Sequence, residues 1–256
     1  MPDLGIVIPA GHSLVSLAER PDLVRPAGQF NGSVWPEFML QDPVVQRYWH
    51  LLDEAWSGFQ LVLLDAVGAI AATNNAAPIH WNGTDEDLPA GWDQQLERSA
   101  EQHAAGVAAD TLGAIQIVVD PSRRGDRLAG VMVDAMRSNA RAHGFGHVIA
   151  CVRPTDKHRF PLIPIENYAF WTRADGEPFD AWIRLHARLG ARIVRGSPEA
   201  MTMRGSVADW EAWTGLEFPG SGSYIVPFAA SPVEIDRVAD EGVYHDPNVW
   251  VVHTVD

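Results

Sequence analysis

The chain is short of cysteine, of positive charge and of long apolar runs. Cys151 is the one cysteine in 256 residues, which excludes a framework of intrachain disulfides. Lysine and arginine number 19 against 33 aspartate and glutamate, a formal net charge of −14. That balance argues against non-specific binding to nucleic acid or to an anionic membrane surface. No apolar run reaches the length of a membrane span. The opening MPDLGIVIPAGHS has neither the basic flank nor the long apolar core of a signal peptide, so a cytoplasmic location is expected. The histidines show no paired metal-ligand spacing, and no metal is expected. No repeat or low-complexity tract interrupts the chain. Apolar residues make up 46% of it, ample for a sizeable core, and it reads as one domain over residues 1–256.

The pattern of apolar residues and breakers predicts a mixed α/β protein. Residues 12–18 alternate as a strand, and Pro21, Pro26, Gly28, Gly32 and Pro36 then break the chain into loops. Asp42-Pro43 has the form of a helix cap followed by proline at the first helical position, with the helix running to about Trp56. Residues 59–64 and 67–73 form a hairpin around Asp65. A loop over 78–92, a helix from Asp93 to about Ala109 and a strand over 112–119 follow. The next helix starts near Leu128, carries Met132, Ala135 and Met136 along one side, and stops at Gly144. A strand over 147–152, an irregular stretch over 153–180, a helix over 180–189 and a strand over 191–195 come next. The tail adds a helix at 206–213 and strands at 223–228 and 249–255. This order predicts a mixed central sheet with helices on both faces.

The stretch 113–152 carries the chemistry. An apolar strand runs into Pro121-Ser-Arg123-Arg124-Gly125-Asp126-Arg127-Leu128-Ala129, and a helix begins there. A helix start presents unpaired N–H groups and about half a unit of positive charge. With three arginines beside it, the loop suits an anion such as a diphosphate. A solvated basic turn between strand and helix is the alternative reading.

This stretch resembles the GNAT acyltransferase superfamily. The family's loop has arginine or glutamine, two residues, glycine, one residue, then glycine or alanine, placed after a proline that ends a strand. Arg124 and Ala129 match that spacing, and Arg127 stands where the central glycine usually lies. The resemblance covers about residues 59–195. It implies a GNAT-like fold with a core over about 42–195 and a C-terminal extension over about 196–256. It also implies an acyl-CoA-dependent N-acyltransferase, acetyl by default, acting by direct attack of an amine of a small molecule or amino acid on the thioester. The cosubstrate is then acetyl-CoA or another acyl-CoA. Arg123, Arg124, Gly125, Asp126, Arg127, Leu128 and Ala129 would hold its diphosphate, and the backbone of Ile117, Val118 and Val119 would pair with its pantetheine arm.

Many family members place a tyrosine on the helix near residue 186 to protonate the departing thiolate, and His186 stands in that place. Trp182, Leu185, His186 and Leu189 share one helical face, so His186 points inward. It is either the proton donor or a buried histidine with a local partner. Glu166, Glu177, Asp180 and His80 are candidates for the general base, and Glu166, between apolar and aromatic neighbours, is the first choice, since such surroundings raise a carboxyl pKa. Arg153, Lys157, His158, Arg159, Tyr168, Trp171 and Arg173 give the 153–180 segment an aromatic and cationic character, with Tyr168, Trp171 and Arg159 foremost. Those three are candidates for substrate binding; the segment reads equally as a lid, a homodimer clasp or packing for the tail. Cys151, in an apolar strand, reads as a buried inert thiol. A rival from another class is a noncatalytic acyl-CoA-binding module with a partner-recognition tail, favoured by the altered glycine position and the absence of a carboxylate on strand 112–119.

Overall fold

The computed structural model describes residues 5–123 and 125–255. Nine strands form one sheet: β1 (Ser13–Ser16), β2 (Leu61–Leu64), β3 (Ile70–Ile79), β4 (Thr111–Val119), β5 (His147–Val152), β6 (Arg192–Gly205), β7 (Gly222–Tyr224), β8 (Val233–Asp236) and β9 (Glu241–Thr254). Their order is β1-β2-β3-β4-β5-β9-β8-β7, with β6 also paired to β9. Among the described residues, only β4 and β5 are parallel neighbours. Seven α-helices accompany the sheet: α1 (Val24–Gly32), α2 (Pro43–Asp53), α3 (Trp92–Ala104), α4 (Leu128–Ala142), α5 (Ile165–Tyr168), α6 (Ala181–Arg188) and α7 (Val207–Thr214). No helix among the described residues is long and apolar enough to cross a membrane.

Strand β5 shows why both faces are covered. Successive side chains of a strand point to opposite faces. Val148 packs with Met136 and Ala140 of α4, while Ala150 and Val152 pack with Ile165 and Tyr168 of α5 and Ile183 of α6. Ile149 and Cys151 turn the other way, into a core with Leu52 of α2, Leu96 of α3 and Trp210 of α7. The helices start where local chemistry dictates. Asp42 accepts from Val44 N–H at 2.8 Å and Val45 N–H at 2.9 Å, with Pro43 opening α2. Asp180 does the same for α6 through Trp182 and Ile183, and Ser206 and Asp209 form a reciprocal capping box at α7.

Three expectations change. The 196–256 segment is built into the sheet rather than appended to a core. β9 lies between β5 and β6, pairing Val249–Thr254 with β5 and residues 242–252 with β6. Its Val249-Trp250-Val251-Val252 run is apolar on both faces and at most 6% exposed, and only an interior strand can bury such a run. At the other end, β1 lies outside the expected 42–195 core yet forms a sheet edge on β2. The 153–180 stretch, expected as irregular, contains a 3₁₀ turn at Lys157–Arg159 and helix α5. It is packed around Phe160, Tyr168, Trp171 and Phe179, whose ring centroids lie 5.1–6.1 Å apart.

Candidate active site

The central feature is a gap opened inside the sheet. β4 and β5 pair only from Thr111–His147 to Ala114–Ala150. Beyond that point β4 continues to Val119 on β3 alone, and Cys151 and Val152 of β5 pair only with β9. The cause is a bulge. Ala76 faces Ala114 and Asn75 faces Gln116, so Ile115 is an extra residue that bends β4 away from its neighbour. Side chains of α3 stabilise the bend: Trp92 Nε1 donates to Ile115 O at 2.7 Å and Gln95 Nε2 to Ala114 O at 2.9 Å. Gly113 admits this approach, since a Cβ there would lie 2.8 Å from Gln95 Nε2.

The register decides which backbone groups face the gap. Asp120 N–H bonds Ala71 O at 3.0 Å. In an antiparallel pair hydrogen-bonded residues alternate with non-bonded ones, so Val118–Thr73 and Gln116–Asn75 are the bonded partners that precede it. Ile117 and Val119 therefore turn their N–H and C=O groups into the gap, with their side chains against the α4 side. Val118, expected to contribute its backbone as well, spends those groups on β3.

At the mouth of the gap stands the start of α4. Its cap residue, Arg127, has φ 61° and ψ 15°, the left-handed conformation that glycine adopts freely, and supplies no side-chain cap. The loop thus keeps the backbone path of a glycine at this position while carrying an arginine. Gly125 is also left-handed, at φ 105°, and Gly125, Asp126 and Arg127 are exposed. Leu128, the first residue of α4, is buried against the sheet. Arg124 lies outside the described residues. Arg123, expected to serve an anion, is ion-paired with Asp65 in the β2–β3 turn. Asp65 also accepts from Val67 and Ala69 N–H, the second of which does most to hold its carboxyl below the usual range.

His186 points inward, as expected, but meets a second histidine. Its Nδ1 lies 2.9 Å from Nε2 of His253 on β9, and the rings are 3% and 1% exposed. Burial pushes His186 down to about 3, helped by its neighbour, and burial likewise pushes His253 down to about 4. Both are neutral near pH 7, one donating to the other, so His186 has the buried-partner role rather than that of a charged acid. Glu166 is exposed on α5, its backbone against Gly196 of β6. Tyr168 is 1% exposed and donates to Asp180 Oδ2 at 3.0 Å. Burial and that carboxylate push its phenol up. Trp171 is half-buried in the aromatic cluster, and Arg159 is exposed, 3.7 Å from Asp156. Tyr168 and Trp171 share a core with Ala150 and Val152 of β5 and Ala114 of β4. Cys151 is buried, and burial raises its thiol pKa, as an inert core thiol requires.

Trp35, Gln116 and Asp93, which the sequence did not single out, line the face opposite α4 together with Arg153 and Asp42, which it did. Trp35, between α1 and α2, donates from Nε1 to Gln116 Oε1 at 3.2 Å, and Gln116 Nε2 donates to Asn75 at 3.0 Å. The Trp35 ring also lies 6.0 Å from the guanidinium of Arg153, the residue after β5. Arg153 Nε donates to Asp246 Oδ1 at 2.8 Å and Nη2 to Phe228 O at 2.7 Å. Burial pulls Arg153 down, but Asp246 and Tyr244 outweigh it and hold the guanidinium charged. Further along this face Asp42 and Asp93 form a carboxyl pair. Asp93 Oδ2 accepts from Thr202 N–H at 2.9 Å, while Asp93 Oδ1 and Asp42 Oδ2 are buried with no donor among the described residues. Burial and the Asp42 charge push Asp93 up to about 9, and burial raises Asp42. One proton shared between them satisfies both oxygens.

No family model matches the chain. The curated arginine N-acetyltransferase avaD of Aspergillus versicolor is 31% identical over 284 aligned positions, 98% of this chain and 97% of that protein. Among solved structures, the loading GNATL domain of CurA from Lyngbya majuscula matches with a TM-score of 0.60 at 14% identity, over 95% of this chain and 98% of that one.

Proposed function

This chain belongs to the GNAT family of acyl-CoA-dependent N-acyltransferases, and on that premise we propose that it moves an acetyl group from acetyl-CoA to an amine of a small molecule, arginine being the acceptor that its relative's name suggests. The observation that carries the reading is the gap between β4 and β5, with Ile117 and Val119 turned into it and α4 starting at its mouth. An extended thioester arm completes that edge as an added strand, and its diphosphate meets the N-terminal turn of α4. In the loop, Arg123 is already answered by Asp65. The cationic reach toward phosphate then rests on Arg127, with Arg124 assigned by the family motif, while Gly125, Asp126, Leu128 and Ala129 shape the turn.

The thioester supplies the electrophilic carbonyl. The chain's contribution is orientation: a nitrogen held beside that carbon gains the advantage of an intramolecular reaction. The amine lone pair forms the C–N bond, the C–S bond breaks, and the proton lost by nitrogen ends on the sulfur. His186 is held neutral beside His253, so solvent water carries the proton from nitrogen to sulfur in this reading. Calorimetric titration with acetyl-CoA, followed by thiol-release assays with arginine, tests the reading. Saturable binding and arginine-dependent thiol release are expected. Absence of binding at millimolar acetyl-CoA would overturn it.

A further inference from the structure

The residues that close the gap on the face away from α4 carry a statement about the acceptor. Side chains of β5 alternate, so Arg153 follows Ile149 and Cys151 onto that face. Gln116 of β4 is at the matching level, since Ala114 faces Ala150 and both strands then advance two or three residues. Trp35 reaches both, by a hydrogen bond to Gln116 and by its ring against Arg153. The gap therefore has α4 on one face and a Gln116–Trp35–Arg153 arch on the other.

Arg153 is built to offer charge outward. Asp246 is fully buried and accepts from Arg153 Nε, from Tyr244 Oη at 2.5 Å and, with the Asn248 amide turned to suit its neighbours, from Asn248 at 3.0 Å. Its negative charge is shared among three donors. Phe228 O takes one Nη2 hydrogen, and Nη1 enters none of these bonds. The Arg153 side chain keeps 18% exposure. The guanidinium is thus fixed in orientation, stacked near an indole and open at one end, the arrangement that suits a planar carboxylate.

We infer that Arg153, positioned by Asp246 and roofed by Trp35, binds the carboxylate of the acceptor, so that the acceptor is a free amino acid rather than the corresponding decarboxylated amine. This rests on the acyl-transfer reading for the location of the acceptor, but its test is a binding measurement that needs no turnover. Arginine and agmatine, which differ by the carboxylate, are titrated into the protein in the presence of coenzyme A. Arginine is expected to bind at least tenfold more tightly. The double variant Arg153→Gln, Asp246→Asn leaves no unpaired charge, and it should bind the two ligands within about twofold of each other with coenzyme A affinity unchanged. Arg153→Lys, which keeps the charge but loses the fork, should retain a preference of a few fold. Agmatine binding as tightly as arginine to the unaltered chain, no arginine binding at all, or a preference that survives in the double variant would each overturn the inference. The ligand comparison on the unaltered chain decides the matter even if a variant fails to fold. Absence of coenzyme A binding would strike the acyl-transfer reading separately.

Discussion

Replacing Asp93 by asparagine should stabilise the protein at neutral pH and flatten the pH dependence of its stability. Asp93 and Asp42 each present a buried oxygen without a donor to the other, and the pair is satisfied only while one proton is shared. The unfolded chain releases that proton near pH 4, whereas the folded chain holds it to about 9. The native state therefore binds more protons across this window. The contribution to stability is complete below about pH 4 and is lost as pH rises toward the folded value, at a limiting slope of about 1.4 kcal/mol per pH unit. From pH 6 to pH 8 the loss is about 3 kcal/mol at that slope. Asparagine offers an amide oxygen to Thr202 N–H and an N–H to Asp42 without needing a proton from solvent. Urea unfolding at pH 6, 7 and 8 should show the parent midpoint falling relative to that of the variant, with the gap widest at pH 8. Parallel curves, or a variant less stable than the parent at pH 8, would refute the shared proton.

Three further outcomes follow from the same geometry. His186 and His253 protonate in the unfolded chain near pH 6.5 but stay neutral in the fold down to about 3 and about 4. Each then removes about 1.4 kcal/mol per pH unit as pH falls below 6.5, and His186→Gln should roughly halve that acid-side slope in urea unfolding while kcat stays within about threefold; a hundredfold loss of kcat in a folded variant would restore His186 to the proton transfer. Trp92→Phe leaves the Ile115 carbonyl at the bulge without its donor, a cost of about 1–3 kcal/mol in chemical denaturation, with a weaker grip on acetyl-CoA as the bend in β4 relaxes. Arg127→Gly removes a left-handed penalty of about 1–2 kcal/mol but loosens the unfolded chain by a comparable amount. Thermal unfolding should therefore change little, while calorimetry should show acetyl-CoA binding about fivefold weaker if the guanidinium meets phosphate, a loss of about 1 kcal/mol.

Much of the framework was legible because the signals are local. Asp42-Pro43, the hairpin around Asp65, the basic loop and Gly144 each act over a few residues, and the structure has a helix, a turn or a helix end at each. The place of β9 was not legible. Its apolar end reads as a strand, but its partners lie about a hundred residues earlier in β5 and about fifty earlier in β6, beyond the reach of any local pattern. The bulge at Ile115 was equally hidden, since it depends on β3 register and on donors from α3.

The loop arginines separate the two kinds of information. Composition and order place three arginines before a helix, and that alone points to an anion. Only the tertiary structure distinguishes Arg123, neutralised by a turn fifty-eight residues away, from Arg127, which holds a glycine-like backbone at the helix start. His186 teaches the same lesson: helical spacing turns it inward, but β9 supplies the partner and the burial that keep it uncharged. Local chemistry along the chain decided the elements and the kind of ligand. Long-range pairing decided which charges remain free, because desolvation and charge compensation depend on neighbours in space rather than in sequence.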